Sequence, residues 1–176
     1  MGRLTRFAVI GLILSHFVSH FGPAEAAQDV WKPITAGGMS VSLPCTGDWK
    51  STRQDVPEEA SVVTANLLSC KTGDSFYLIA WTEVETNAQF DGMAALRSSR
   101  DAFLREAGGG QLITSADIVH DGLKGIEFTA HLRGLLLSSR GVFHAKRWYQ
   151  VTIGTPLNQD RSKDIKRLLT SLKVKR

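Results

Sequence analysis

The feature that most constrains the fold is a series of alternating segments between positions 126 and 155. In 126–133, apolar residues occupy every second position and polar residues the positions between them, as in a strand with one buried face. The segments 135–143 and 148–155 follow after short connections, the second of them at 144–147. Strands joined by tight turns pair antiparallel. We therefore predict an antiparallel meander that ends with a strand burying Tyr149, Val151 and Ile153.

Further strands are predicted in the first half of the chain. A strand over 39–43 ends at Pro44 and is followed by a polar stretch over 46–59, which we expect to be a loop. The segments 61–69 and 75–84 are separated by a turn that contains Gly73, which predicts a hairpin. The second of these segments is apolar on both faces, so we expect it to lie centrally in the sheet.

Two helices complete the predicted elements. Asp91 is a suitable N-cap for a helix that ends before three glycines at 108–110, and a strand over 111–119 follows. A closing helix over 158–174 carries Ile165, Leu168, Leu169 and Leu172 on one stripe. The order of strands, helix, strands and helix predicts an α+β fold with a single central antiparallel sheet flanked by helices.

The N-terminus has the layout of a secretory signal peptide. Arg3 and Arg6 precede an apolar run over 7–14, and small residues follow Pro23. We expect cleavage after Ala26 or Ala27, which leaves one domain over 27–176. The predicted location is exported, periplasmic or secreted, with no stable membrane span after cleavage.

The two cysteines, Cys45 and Cys70, are predicted to form a disulfide, because an even number of cysteines in an oxidising compartment favours pairing. Free buried thiols are the alternative. The loop closed by this bridge contributes roughly 3 to 4 kcal/mol in the chain-entropy model. A simple hairpin of 39–43 with 61–69 places the cysteines at opposite ends, so we expect the first strand to pair elsewhere.

Several stretches together resemble the PsbP-like superfamily of small exported α/β proteins, which includes bacterial envelope proteins of unknown function. They are 38–44 (GMSVSLP), 122–127 (GLKGIE), 140–143 (RGVF), 147–152 (RWYQVT) and 168–173 (LLTSLK). The resemblance implies an α/β/α sandwich around a central antiparallel sheet. It also implies a binding or assembly module rather than an enzyme, with no catalytic residue to carry over. Cys45 departs from the family pattern, in which glycine more commonly follows the proline.

The sequence contains no catalytic, cofactor-binding or metal-binding signature. The serines near His131 and His144 lack the Gly-x-Ser-x-Gly elbow that exposes a nucleophile, and neither cysteine has a neighbouring ligand at metal spacing. We therefore expect no enzyme, no cofactor and no metal. An envelope enzyme of hydrolase type is the alternative, and it requires a deep pocket that groups His131 or His144 with a carboxylate such as Glu127.

Charge is distributed unevenly along the chain. Residues 27–132 contain 8 basic and 14 acidic residues, whereas residues 133–176 contain 11 basic and 2 acidic residues. Either the fold pairs these segments, or the last third presents a basic surface to an anionic partner. The predicted binding surface is a polar sheet face that consists of His131, Arg133, Arg140, Trp148 and Gln150. The solvent side of the closing helix, with Arg161, Lys163, Lys166 and Arg167, is either a second basic binding surface or an ordinary solvated helix face, and we favour the solvated face.

These observations predict an exported, non-catalytic binding or assembly module of the cell envelope. The expected partner is an envelope protein or an anionic envelope component, and not nucleic acid. A passive structural or stress-related envelope protein is a further alternative. The sequence leaves the oligomeric state open.

Overall fold

The computed structural model describes residues 30–45, 49–58, 61–85, 91–106 and 109–176. The predicted signal peptide and its cleavage site lie outside these ranges. Within them, no helix is long and apolar enough to cross a membrane.

A seven-stranded antiparallel sheet forms the centre of the molecule. Its strands lie in the order β3-β4-β5-β9-β8-β7-β6. They are β3 (Lys50–Glu58), β4 (Ser61–Thr72), β5 (Ser75–Glu85), β6 (Gln111–His120), β7 (Leu123–Leu132), β8 (Leu135–His144) and β9 (Arg147–Pro156). The predicted β4–β5 hairpin and the meander from β7 to β9 are confirmed by their strand registers.

A second, smaller sheet corrects the prediction of a single sheet. It has the order β1-β2-β10 and consists of β1 (Lys32–Ala36), β2 (Met39–Leu43) and β10 (Lys173–Val174). The C-terminal strand pairs Lys173 with Ser40 and Val174 with Met39. Two-residue strands such as β10 leave no periodic pattern in the sequence, because alternation needs about four residues to be visible.

The polar stretch 46–59 is not a loop throughout, because β3 occupies most of it at one edge of the large sheet. An edge strand whose side chains lie in or near solvent needs no apolar alternation. Pro57 is compatible with this position, since a strand at an edge has backbone groups that need not pair.

Two helices cover the two faces of the large sheet. Helix α1 (Gly92–Glu106) begins at Asp91, whose Oδ1 accepts hydrogen bonds from the backbone N–H groups of Met93 and Ala94, both at 3.0 Å. Helix α2 (Ser162–Ser171) is shorter than the predicted 158–174, since the chain leaves the helix at Leu172 and enters β10.

The core consists of two apolar clusters separated by the large sheet. One lies beneath α1 and contains Leu96, Phe103, Phe128 and Trp148. The other lies between the large sheet, the small sheet and α2, and contains Val41, Tyr77, Val151 and Leu168. Strand β5 contributes residues to both clusters, as its two apolar faces predict.

The predicted disulfide is present between Cys45 and Cys70. Cys45 follows β2, and Cys70 lies in β4, with the two Cα atoms 6.2 Å apart. Strand β2 pairs with β1 and β10 and not with β4. This confirms the prediction that the strand over 39–43 does not form a hairpin with the segment 61–69. The bridge therefore joins the small sheet to the large one.

Candidate functional site

The structure does not bring the five residues of the predicted binding surface together. Trp148 is 0% exposed and Gln150 is 4% exposed, and both lie on the face covered by α1. Arg140 lies on the opposite face, because it is in register with Val151 rather than Gln150. The prediction that Trp148 and Gln150 share an outward face with Arg140 is therefore wrong.

The remaining two residues of that prediction are exposed at the far end of the sheet. His131 lies near the end of β7, and Arg133 occupies the β7–β8 turn with a φ of 47°. They are neighbours in sequence, but the structure places no aromatic or amide side chain of the predicted set beside them.

Gln150 is buried, and its side-chain amide nitrogen has partners on its own strand and on the neighbouring β8. Its Nε2 donates to Ser139 Oγ at 3.0 Å and to Thr152 Oγ1 at 3.3 Å. The Ser139 and Thr152 hydroxyls lie 2.8 Å apart. The sequence pattern suggests that such a polar residue faces solvent, although its hydrogen bonds allow it to lie in the interior.

Arg140 connects the large sheet to the C-terminal end of α2. Its Nε and Nη2 donate to Glu127 Oε2 on β7, at 2.8 and 2.5 Å. Its Nη1 donates to the carbonyl of Leu169 at 2.8 Å and lies 3.1 Å from His120 Nδ1. The side chain is only 14% exposed, so this arginine is a structural tie and not a free binding group.

The chain beyond α2 is held at three further points. His120 Nε2 lies 2.7 Å from the carbonyl of Leu172, Lys173 Nζ lies 2.7 Å from Asp121 Oδ2, and the backbone N–H of Lys175 donates to Gly38 at 2.8 Å. The hydrogen bond from Lys173, with smaller contributions from nearby His120 and Arg176, holds the pKa of the Asp121 carboxyl below its ordinary value. These contacts fix the direction of the C-terminal tail.

The tail completes a cleft at the β8–β9 end of the large sheet. The cleft has a volume of about 640 Å³. It is lined by Glu83, His144, Ala145, Lys146, Arg147, Tyr149 and Lys175. Three elements therefore contribute: the end of β5, the β8–β9 turn with its flanking residues, and the residues after β10.

The glycine pair in the β1–β2 turn lets the small sheet approach this cleft. Gly37 and Gly38 have φ values of 58° and 87°, which favour glycine. A Cβ at Gly37 would come within 2.3 Å of the Trp81 ring, so only a glycine allows this close approach. The approach places the Gly38 carbonyl where it accepts the Lys175 N–H.

The cleft is cationic. Lys146, Arg147 and Lys175 contribute three positive charges, and His144 adds an imidazole. Glu83 is the acidic residue among the lining residues, and its Oε1 lies 3.0 Å from Arg147 Nη2. The seven named lining residues therefore carry a net charge of two positive units, and Tyr149, which is 2% exposed, is among them.

Several basic residues of the last third are paired with acidic residues of the first part of the chain. Glu127, Glu83 and Asp121 pair with Arg140, Arg147 and Lys173. On α2, Arg161 lies 3.4 Å from Asp164, and the Arg167 guanidinium stacks 4.8 Å above the Trp31 ring. Part of the uneven charge in the sequence therefore corresponds to ion pairs between the last third and the first part of the chain.

The named lining residues offer ion pairing and hydrogen bonding. None of the seven is Ser, Thr or Cys. Across the described ranges, no group of three or more His, Cys, Asp or Glu residues is arranged to hold a metal ion. The ammonium and guanidinium groups of the lining suit a carboxylate or a phosphate group.

Sequence reasoning did not assign Lys146, Arg147 and Lys175 to a site. Lys146 and Lys175 are 29 positions apart, and their juxtaposition depends on the pairing of β10 with β2. The available signal was the excess of basic residues after position 133, which indicated the right part of the chain but not the site within it.

No family model matches the chain, and no curated protein matches its sequence. Its fold is similar to the solution structure of cyanobacterial PsbP (CyanoP) from Synechocystis sp. PCC 6803, with a TM-score of 0.51. The match covers 88% of this chain and 98% of that one, at 13% sequence identity. At this identity the likeness concerns the fold alone. It agrees with the resemblance seen in the sequence motifs, and the chain therefore has a PsbP-like fold.

Proposed function

We propose that this protein is an exported, non-catalytic binding module that holds an anionic partner at the cationic cleft of the β8–β9 turn. The observation that carries the proposal is the convergence of Lys146, Arg147 and Lys175 from two distant parts of the chain on one cleft. The buried Cys45–Cys70 disulfide supports an oxidising compartment.

The chemistry of the lining favours binding over catalysis. His144 and Glu83 share the cleft, as a hydrolase would require of a histidine and a carboxylate, but Glu83 is engaged by Arg147. None of the seven named lining residues is a Ser, Thr or Cys that could act as the nucleophile beside the histidine. A histidine whose nearby carboxylate is engaged by an arginine supports ion pairing more directly than bond cleavage.

The expected partner carries carboxylate or phosphate groups. Lys146 and Lys175 supply ammonium donors and Arg147 a guanidinium, which together attract anions and hydrogen-bond to their oxygens. An acidic segment of an envelope protein or an anionic envelope polymer provides these groups.

Site-specific photo-crosslinking in cells tests the location of the binding surface. A photoreactive residue at Ala145, which is exposed in the cleft, is expected to capture a partner. The same residue at Arg133 is the matched control, since Arg133 is also exposed in a β-turn but lies at the other end of the sheet. Capture from Arg133 and not from Ala145 would overturn the proposal.

A further inference from the structure

Strand β6 forms one edge of the large sheet, and β7 is its only neighbour among the strands that the structure describes. Its first seven residues are exposed. Leu112, Ile113 and Val119 are 40, 47 and 73% exposed, so this strand carries three of the five large apolar side chains that are exposed among the described residues. An edge strand that exposes apolar side chains is a template for pairing with another strand.

The opposite edge of the same sheet is different. Strand β3 carries Lys50, Arg53 and Asp55 along its length, and Pro57 near its end. Charges and proline are the features that protect an edge from pairing. Strand β6 contains no Lys, Arg or Pro, and its Asp117 is paired with Arg97 of α1. Strand β6 is therefore the edge of the large sheet that is more open to pairing with a further strand.

A bulge sets which faces the side chains of β6 occupy. The register with β7 shifts between Leu112 and Thr114. Because Leu112 pairs with Ala130 and Asp117 with Ile126, both lie on the face covered by α1, and Val119 lies on that face too. Two of the three exposed apolar side chains, Leu112 and Val119, are therefore on one side of the strand, at its two ends.

We propose that β6 pairs antiparallel with β6 of a second copy of this chain, about a twofold axis that passes through Ala116. In this register Ser115 lies opposite Asp117, and Thr114 lies opposite Ile118. Beyond them, Val119 of each copy meets the bulge at Leu112 and Ile113 of the other. All three exposed apolar side chains of the strand gain an apolar neighbour, and the two large sheets become one.

The charges fit the same register. Asp117 is bound by Arg97 on its own copy, and Ser115 accepts a hydrogen bond from Arg100 Nη1 at 2.7 Å. With Ser115 of one copy beside Asp117 of the other, the Arg100 side chain of each copy approaches an acidic residue across the interface. The interface thus places opposite charges at its centre and apolar residues at its ends.

Neighbouring registers fit less well. In an antiparallel pair, residues that lie opposite each other share a face of the sheet. Because side chains alternate between the two faces, the twofold axis must pass between the two copies of one residue, and not between two successive residues. An axis through Asp117 places two carboxylates together and leaves Val119 opposite Ser115. An axis through Ser115 places Val119 opposite Gln111. Of these three registers, only the one centred on Ala116 places the exposed apolar residues of one copy beside those of the other.

Cysteine crosslinking of the purified protein tests the register. Residues opposite each other in such a pair have Cα atoms about 4.5 to 5.5 Å apart, which is within the range of a disulfide. Ala116→Cys is therefore expected to form a covalent dimer on mild oxidation. Val119→Cys is the register control, because its two copies lie about 20 Å apart at 3.3 to 3.4 Å per residue. Equal crosslinking of both variants, or none from Ala116→Cys, overturns the proposal.

Sedimentation equilibrium tests the interface without crosslinking. The protein is expected to form a concentration-dependent dimer, which Val119→Lys weakens by at least about tenfold, since each dimer then carries two cations at apolar contacts. Leu157→Lys is the matched control, because Leu157 is 50% exposed and lies outside β6. A monomer at all concentrations, or an equal loss of dimer in both variants, contradicts the proposed interface.

Discussion

Arg140 on β8 donates a hydrogen bond from Nη1 to the carbonyl of Leu169 in α2, across 2.8 Å. The same guanidinium binds Glu127 on β7, so one side chain connects two strands to the last turns of the final helix. Carbonyls in the last turn of a helix lack intrahelical partners, and a cation there also complements the helix dipole. The position of the C-terminal tail therefore depends on a residue far from it in sequence.

Replacement of Arg140 by alanine is expected to lower the free energy of unfolding by about 2 to 3 kcal/mol, because hydrogen bonds to charged groups contribute roughly 1.5 to 3 kcal/mol. Urea unfolding measures this change. Arg133→Ala is the control, since Arg133 is exposed in the adjacent turn, and its loss is expected to change the value by no more than about 0.5 kcal/mol. A similar small change in both variants would show that Arg140 is not a structural tie.

Reduction of the Cys45–Cys70 bridge is expected to destabilise the protein by about 3.5 kcal/mol, because the bridge closes a loop between cysteines that are 25 positions apart in the sequence. Denaturant unfolding of the protein with and without a reductant measures the loss. Intact mass before and after reduction provides the control, because opening one disulfide adds about 2 Da as two hydrogen atoms. An unchanged mass would refute the bridge.

Gly37→Ala is expected to destabilise the protein and to displace Lys175 from the cleft. The new methyl group would collide with the Trp81 ring, and the φ of 58° would also be strained. Gly73→Ala is the matched control, because Gly73 has a φ of 54° but nothing within 4 Å of its Cβ position. Gly73→Ala thus has only the cost of a left-handed backbone, about 1 to 2 kcal/mol. Equal unfolding midpoints for the two variants would contradict the close approach at Trp81.

The Lys173–Asp121 pair is expected to make stability depend on pH at acidic values. Because Lys173 lowers the pKa of Asp121 in the folded protein, the pair stabilises above the ordinary aspartate pKa, and this contribution is lost as the pH falls through the lowered value. Asp121→Asn should therefore be less stable than the unmodified protein at pH 7. The difference should close in strong acid, and a difference that is constant with pH would refute the linkage.

The large sheet was predictable where one or both faces of a strand are apolar. Strands β4, β5 and β7 to β9 follow from alternation and tight turns, and helix α1 follows from its Asp91 cap. Strand β3 was missed because an exposed edge needs no apolar pattern. Strand β10 was missed because Leu172 fits an apolar helix stripe equally well, although the chain has already left the helix there.

The site was less predictable than the fold. Alternation in β9 places Tyr149 and Val151 on a buried face, and it suggests that Trp148 and Gln150 face solvent. The structure buries both faces, because α1 covers the side that the pattern leaves open. Sequence also gives no distance between Lys146 and Lys175, whose proximity depends on the pairing of β10 with β2.

The yield of partner crosslinked from Ala145, compared between two charge-reversal variants, tests the proposed binding role most directly. Lys175→Glu removes a cation of the cleft, whereas Lys163→Glu changes an exposed cation on α2 outside it. We expect the yield to fall about tenfold in Lys175→Glu, as for the loss of roughly 1.4 kcal/mol of binding free energy, and to stay unchanged in Lys163→Glu. An equal fall in both variants, or an unchanged yield in Lys175→Glu, would contradict a partner held by the cleft.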